Sequence, residues 1–466
     1  MSDQTAFERL RAIFSRKSVD DQEYEPLGDA DEDVRRPVRI VPGDKKEEPF
    51  SWFEYSIFFL LGIAMLWAWN MFLAAAPYFQ NRFKNDAKIL NSFQSAIISV
   101  GCVTNLTFML ILMNLQAKAS YPKRILSALA LNVVVFTLLS ISTSYFRGVS
   151  ESGYLAFTLI MVFSTSTATG FLQNGTFAFA SSFGRPEYIQ AIMTGQAVAG
   201  VLPSVAQIAS VLALPTKDAW ADPAVQAATI DDQSSKSAFV YFMTATGISI
   251  LTLLAVLPLI RKHNRTLETR MMSSVTSIEE AEQAKRTSVG MRTLYKKLHW
   301  LAAGVFLCFA VTMFFPVFTG KVVSVLPEDK APKLFQPASF IPLGFLLWNL
   351  GDLCGRLSTI IPIPVVTSRP RVLFLISILR AGQLPLYLLC NIEGKGATIS
   401  SDAFYLFVVQ FGFGLTNGWL SSSCMMSANE WVEESEREAT GGFMAVNLVA
   451  GLTFGSLLSF AASGVS

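Results

Sequence analysis

The sequence is poor in charge, in histidine and in cysteine motifs, and each shortage excludes a class of protein. Asp, Glu, Lys and Arg make up 15% of the 466 residues, whereas a soluble protein carries about a quarter. The two histidines, His263 and His299, lie at or near the edge of a polar loop, which excludes a histidine metal site or proton relay inside a membrane. The five cysteines contain no CxxC pair and fall in or beside apolar runs, so neither a disulfide framework nor a metal cluster is predicted.

Other signatures are missing as well. Residues 1–54 contain no apolar h-region, so no cleavable signal peptide is predicted, and this polar tail is expected to be disordered. The chain has neither a G-x-x-x-x-G-K-S/T loop for ATP nor a TVGYG-like potassium filter. These absences argue against an ATP-driven pump and a potassium channel. We expect no catalytic residue, no cofactor and no nucleic-acid partner.

Apolar residues are abundant. They make up 52% of the chain, and the mean hydropathy is +0.42, which indicates a polytopic membrane protein. Eleven apolar runs have the length of a membrane span. They lie at residues 55–78, 90–115, 122–146, 153–181, 187–213, 238–260, 300–325, 336–361, 371–391, 402–428 and 440–462.

Basic residues predict the orientation. The N-terminal tail and residues 261–299 are rich in Lys and Arg, whereas residues 214–237 are acidic and fall on the opposite side. By the positive-inside rule the N-terminus is cytoplasmic, and an odd number of spans places Ser466 outside the cytosol. The predicted organisation is a disordered cytoplasmic tail, a six-helix bundle, a cytoplasmic loop and a five-helix bundle, at residues 1–54, 55–260, 261–299 and 300–466.

Short repeats relate the two bundles. Each pairs a span with the span six places later, at similar separations in the chain. They are Ser92-Phe93 with Ser339-Phe340, Asn174-Gly175 with Asn417-Gly418, and Val198-Ala199-Gly200 with Val449-Ala450-Gly451. Such parallel repeats are typical of major-facilitator transporters. The predicted fold is therefore an all-α, major-facilitator-like membrane protein with eleven transmembrane helices in pseudo-symmetric halves of six and five.

An acid and a base lie inside the eighth apolar run. At mid-bilayer each charged side chain costs about 2.5–3.5 kcal/mol. Asn349, Asp352 and Arg356 are spaced i, i+3, i+7 and therefore project from one helical face. This face has to meet protein or water rather than lipid. Asp352 and Arg356 either form a structural pair that holds helices together or line the binding site of a polar solute, and the two roles are compatible.

Neutral polar residues occur in other spans. Candidates for lining a shared cavity are Asn70, Thr169, Gln196 and Asn417. Amides and hydroxyls are also ordinary contacts between membrane helices, so each residue could serve packing alone. Together with one acid and one base they suit a polyhydroxylated or heterocyclic solute better than a bare ion.

Several motifs carry a family resemblance. They are Trp69-Asn70, Leu172-Gln173 with Gly175, Ile192-Met193-x-Gly195-Gln196-x-x-Ala199-Gly200, Phe315-Pro316, Asp352-x-x-Gly355-Arg356, and Asn417-Gly418 with Leu420. With these, the chain resembles the equilibrative nucleoside transporters over residues 52–464. The chain departs from the family at residues 67–70, which read Trp-Ala-Trp-Asn where many members have Leu-Pro-Trp-Asn.

The resemblance implies function and site residues. It implies facilitated diffusion of nucleosides, and in some members nucleobases, by alternating access. Trp69 would contact base or ribose, Gln173 would bond the base, and Asn349, Asp352 and Arg356 would bind the ribose. The protein would act as a monomer in the lipid bilayer. The tail and loop resemble those of fungal members, which implies a vacuolar, lysosome-like membrane rather than the plasma membrane.

Two other functions fit the same residues. One is a major-facilitator-like carrier of another polar solute, such as a sugar. The other is a membrane receptor or scaffold in which Asp352 and Arg356 only hold helices together.

Overall fold

The computed structural model describes residues 50–115, 120–146, 148–213, 223–274, 290–327, 331–361 and 368–463. The predicted tail up to residue 49 and the middle of the predicted cytoplasmic loop, residues 275–289, lie outside these ranges. The main helices, numbered in chain order, are α1 Trp52–Ala74, α2 Ala87–Asn114, α3 Tyr121–Tyr145, α4 Glu151–Ser182, α5 Pro186–Ala213, α6 Pro223–Ser274, α7 Met291–Thr312, α8 Pro337–Ser358, α9 Pro370–Arg380, α10 Gly412–Ser427 and α11 Arg437–Ser463.

Within the described ranges, ten helical segments are long and apolar enough to cross a membrane. The tenth predicted span is not one of them because its helix is divided. Phe404–Phe411 is π-helical and continues directly into α10. The polytopic all-helical membrane fold is confirmed, whereas the count of eleven crossings stays a prediction.

Helix ends differ from the limits of the apolar runs. Helix α6 extends well beyond the run at 238–260 on both sides, into the predicted loops. Hydropathy marks the part of a helix that lipid or protein surrounds, not the place where its hydrogen bonding stops. Helix α9 shows the opposite, because it gives way to a 3₁₀ segment at Ala381–Leu389. Pro385 lies in this segment and cannot donate a backbone hydrogen bond.

Side chains at three helix starts satisfy backbone groups that have no partner within the helix. Ser51 caps α1 by accepting from the Glu54 amide, and Asp86 caps α2 by accepting from the amides of Lys88 and Ile89. Ser150 does the same for α4. These caps fix where the three helices begin.

Polar contacts define one end of the bundle. Glu54 at the start of α1 accepts hydrogen bonds from Tyr188 at the start of α5 and from Lys262 late in α6. A Cβ on Gly441, at the start of α11, would lie 2.3 Å from the carbonyl oxygen of Phe177 near the end of α4. We call this the first end and the opposite one the second end. Helices α1–α6 are called the first half and α7–α11 the second half.

In the parts of the chain that the structure describes, the buried core consists of three apolar clusters. At the second end, one cluster is drawn from the first half and includes Phe72 and Tyr78, while another is drawn from the second half and includes Phe340 and Tyr387. The third, which holds residues such as Phe58 at the first end, takes side chains from both halves. The halves therefore share a core at the first end and have separate cores at the second.

Candidate functional site

Asp352 and Arg356 form a buried ion pair on α8. They are 3% and 4% exposed, and Arg356 Nε donates to Asp352 Oδ2 at 2.8 Å. The pair closes within one helical turn, as the spacing predicts. It fixes one edge of the guanidinium and leaves the other edge and one carboxylate oxygen for other partners.

The second carboxylate oxygen faces α10. Asn417 Nδ2 donates to Asp352 Oδ1 at 2.7 Å. Glycine makes this contact possible, because a Cβ on Gly418 would lie 2.0 Å from the Asp352 carbonyl oxygen. A Cβ on Gly414 would lie 2.1 Å from the carbonyl oxygen of Trp348. The backbones of α8 and α10 approach closely, so Asn417 can reach the ion pair.

Arg356 also reaches the first half. Its Nη1 donates to the backbone oxygen of Met193 at 2.6 Å and to Gln196 Oε1 at 3.3 Å, both on α5. In the other direction, Gln190 Nε2 donates to the backbone oxygen of Arg356 at 3.5 Å. Arg356 is thus bonded to both halves at once, and the ion pair lies on the interface between them.

Asn349 lies on the same interface without bonding the ion pair. Its Nδ2 donates to Phe345 of its own helix at 2.8 Å and to Ser204 Oγ on α5 at 3.4 Å. A Cβ on Gly200 of α5 would lie 2.3 Å from Asn349 Oδ1, so only glycine leaves room for this side chain. Asn349 therefore occupies a notch in α5 beside the pair.

The other candidate residues make their hydrogen bonds inside the first half. Gln173 is 3% exposed and accepts from Asn105 Nδ2 on α2 at 3.3 Å. Asn70 Nδ2 donates to the Ala199 backbone at 2.7 Å, and Thr169 donates to a carbonyl of its own helix. The half-buried Trp69 ring packs against Gly101 of α2. A Cβ on Gly101 would lie 2.8 Å from the ring.

The structure therefore joins four of the nine candidates directly: Asp352, Arg356, Gln196 and Asn417. Asn349 lies beside this group. The sequence interpretation did not assign three residues to the site: Gln190, Met193, which it named only as part of a motif, and the buried Arg380 of α9. The first two could not have been found, because Met193 acts through its backbone and Gln190 bonds a backbone oxygen. Arg380 could have been found, since it is a charge inside an apolar run.

Among the described residues, no group of three or more His, Cys, Asp and Glu side chains could hold a metal ion. The donors and acceptors gathered around the pair are one carboxylate, one guanidinium and several amides. Such a set recognises hydroxyl groups and heterocycle edges by hydrogen bonding.

A family model described as Nucleoside transporter matches residues 159–463. The chain belongs to this family. The matched range covers α5, α7, α8 and α10, and therefore every residue that bonds the ion pair. The resemblance stated from the motifs is confirmed.

Full-length relatives agree with this assignment. The chain is 29% identical to Nucleoside transporter FUN26 of Saccharomyces cerevisiae, over 91% of this chain and 86% of the relative. It is 25% identical to Equilibrative nucleoside transporter 3 of Rattus norvegicus, over 89% and 90% of the two chains. Equilibrative nucleoside transporter 1 of Homo sapiens is 26% identical, over 87% and 95%. Membership of a transporter family confirms that the chain is not an enzyme.

Solved structures confirm the predicted fold class. The proton:xylose symporter XylE, a major facilitator superfamily protein solved with 6-bromo-6-deoxy-D-glucose, aligns with a TM-score of 0.57 at 10% identity, over 87% of each chain. The major facilitator superfamily transporter FucP in the outward conformation aligns with a TM-score of 0.51 at 14% identity, over 89% and 95%. At these identities the likeness shows the fold alone.

Proposed function

We propose that the protein moves nucleosides across a membrane by alternating access between its two halves. The family assignment and the names of the relatives support this proposal. The observation that carries it is the position of Arg356, which bonds Asp352 in its own half and the Met193 backbone in the other. The polar site thus lies on the interface that must open and close during transport.

Asp352 and Arg356 have the chemistry to bind ribose, and Asn349 lies beside them. A carboxylate accepts hydrogen bonds from two vicinal hydroxyl groups, while a guanidinium donates to their oxygens. Gln173 and Trp69 are proposed to bind the base. The amide of Gln173 can both donate and accept, and the Trp69 indole offers an apolar face for stacking.

The separate apolar cores at the second end support an access route from that side. With the N-terminus in the cytosol, as the basic segments predict, the first end is cytoplasmic, and the proposed route opens away from the cytosol. Tags at the two termini test the orientation by protease accessibility. Termini on the same side would contradict the eleven-span topology.

Facilitated diffusion is the proposed transport mode. Proton-coupled transport needs a carboxyl group that exchanges a proton during the cycle. Both oxygens of Asp352 have partners, Arg356 and Asn417. Among the described residues the other buried carboxylates, Glu54 and Glu436, are paired with lysines at the first end. Uphill accumulation of uridine driven by an imposed proton gradient would refute this mode.

A flux assay tests the proposed function. Purified protein in liposomes should take up radiolabelled uridine and adenosine and should exchange them for unlabelled nucleoside on the other side. Glucose and xylose serve as the alternative substrates. Uptake of sugar without nucleoside would favour a sugar carrier, and no flux of any solute would favour a receptor or scaffold.

Three finer properties belong to the same proposal. Some nucleobases are carried, because Gln173 and Trp69 would bind the base alone, and uptake of uracil and adenine tests this. The working unit is a monomer, because one chain supplies both halves, and its mass in detergent tests this. The membrane is vacuolar or lysosome-like, because of the fungal character of the tail, and microscopy of a tagged chain tests it.

A further inference from the structure

Arg380 on α9 is a second buried arginine in the second half. It is 3% exposed, and its guanidinium carbon lies 4.2 Å from the centroid of the Phe413 ring. Its shortest hydrogen bond goes from Nη1 to the Cys308 backbone oxygen at 2.7 Å. Within the described parts of the chain, none of the ion pairs includes Arg380. Burying a charged side chain in a membrane helix costs free energy, and such a charge usually has a function.

Two hydrogen-bonded side chains connect Arg380 to Asp352. Arg380 Nη2 donates to Thr312 Oγ1 on α7 at 3.0 Å. Thr312 Oγ1 lies 2.8 Å from Asn417 Oδ1, and Asn417 Nδ2 donates to Asp352 Oδ1 at 2.7 Å. The path runs from α9 through α7 and α10 to α8, so it includes every helix of the second half except α11.

The Thr312 hydroxyl has a single proton, and the acceptor of that proton decides whether Thr312 donates a hydrogen bond to Asn417. Two oxygens compete for it, the Cys308 backbone oxygen at 2.7 Å and Asn417 Oδ1 at 2.8 Å. Arg380 donates to both the Cys308 oxygen and the Thr312 hydroxyl, so the carbonyl is satisfied without the hydroxyl proton. The proton is then available to Asn417.

This arrangement orients the amide of Asn417. A hydroxyl that donates to Oδ1 requires the amide oxygen to face Thr312, which turns Nδ2 toward Asp352. Without Arg380, the Thr312 proton would return to the Cys308 carbonyl. Asn417 would then be held by the carboxylate alone, so the amide and the Asp352 carboxylate would be less firmly positioned.

We propose that Arg380 is a positioning residue for substrate recognition, which acts through Thr312 and Asn417 to hold the Asp352 carboxylate in place. The inference rests on the proposed function, in which Asp352 accepts hydrogen bonds from ribose hydroxyls. Arg380 itself does not touch the substrate.

Two threonines give a matched test because both accept a hydrogen bond from Arg380. Arg380 Nε donates to Thr416 Oγ1 at 3.3 Å, but Thr416 donates onward to Gln383 and not to Asn417. Thr312→Val breaks the path to Asp352 with little change in volume, whereas Thr416→Val leaves that path intact. Thr312→Ser keeps the hydroxyl and should restore the wild-type behaviour.

The readout is transport of uridine compared with 2′,3′-dideoxyuridine, which lacks both vicinal hydroxyl groups. Thr312→Val should raise KM for uridine by about three- to tenfold, the effect of one hydrogen bond, and should leave KM for dideoxyuridine nearly unchanged. Thr416→Val should change neither. A merely structural role would alter both substrates alike and would lower the melting temperature of both variants.

Asp352→Asn separates the two proposals. If it removes the preference for uridine over dideoxyuridine but Thr312→Val does not, ribose recognition stands and the positioning role of Arg380 is wrong. If Asp352→Asn itself leaves that preference unchanged, the ribose assignment fails, and the positioning role fails with it. Loss of the preference in both variants, with Thr312→Ser behaving as wild type, supports both.

Discussion

Helix α2 of the first half and helix α8 of the second occupy equivalent places, and each bonds the fourth helix of its half. In the first half Asn105 donates to Gln173 at 3.3 Å. In the second half Asp352 accepts from Asn417 at 2.7 Å. Counted from the repeated Ser-Phe pairs at residues 92–93 and 339–340, Asn105 stands opposite Asp352, and the fully buried Met109 stands opposite Arg356.

The comparison separates packing from function. Two neutral amides suffice to join α2 to α4, so an ion pair is not needed to hold such helices together. The charged side chains of Asp352 and Arg356 on α8 therefore have a role other than joining helices, and α2 lacks that role. Arg356 reaches across to Met193, and the pair provides charge at the interface between the halves. This supports a binding role over a purely structural one.

Asp352→Asn breaks the comparison most strongly, because it gives α8 the neutral amide that α2 has at Asn105 while leaving the Arg356 charge. We expect uridine transport to fall by about a hundredfold or more, since the carboxylate would lose two charge-assisted hydrogen bonds to the ribose hydroxyls, each worth about 1.5–3 kcal/mol. The control is Glu54→Gln, which removes a buried carboxylate paired with Lys262 away from the site. It should lower the melting temperature without changing KM. Equal KM values for the two variants would contradict the assignment.

Arg356→Lys keeps the charge and removes the planar fork. Arg356 uses Nε for Asp352 and Nη1 for Met193, and one ammonium group cannot match both positions. We expect transport to fall by about ten- to a hundredfold with a small change in melting temperature. Uptake in liposomes and thermal melting on the same preparation measure the two effects. Near-normal transport would show that charge alone is sufficient.

Glycines on α4 and α10 test how tightly each half is packed. A Cβ on Gly418 would lie 2.0 Å from the Asp352 carbonyl oxygen, whereas a Cβ on Gly170 would meet its nearest neighbour, Asn105 Oδ1, at 3.2 Å. Gly418→Ala should therefore cost about 1–3 kcal/mol or more in stability, and Gly170→Ala clearly less. Thermal melting in detergent compares them. Equal losses would mean that α8 and α10 can separate without cost.

Gln173→Ala probes the neutral amide contact between α2 and α4 and should have the smallest effect. It removes the proposed partner of the base, which should weaken binding by about 1 kcal/mol, a fivefold rise in KM for uridine. The same change should weaken uracil to a similar degree, because the ribose is not involved. Thr167→Ala is the control, because Thr167 lies on the same helix, is not a cavity candidate and donates to the Phe163 backbone of its own helix. A change confined to ribose-containing substrates would place Gln173 on the wrong part of the nucleoside.

Sequence reasoning predicted the helices and the ion pair from the same physical fact, the cost of polar groups in lipid. Apolar runs located the helices but not their ends, as the extension of α6 and the 3₁₀ segment after α9 show. The pairing of Asp352 with Arg356 is local and readable from spacing. The bond from Arg356 to the Met193 backbone depends on how two distant helices pack, and no local pattern encodes it.

The central claim is that the charges of Asp352 and Arg356 serve the substrate and not the fold. The double variant Asp352→Asn with Arg356→Met gives the second half the residues that the first half has at Asn105 and Met109. Replacing both members of a buried ion pair by neutral groups is often close to neutral for stability. Uridine uptake by liposomes containing this variant, with its melting temperature as the control, is the most direct test. We predict near-wild-type melting with no uptake; near-wild-type melting with near-wild-type uptake would contradict the claim.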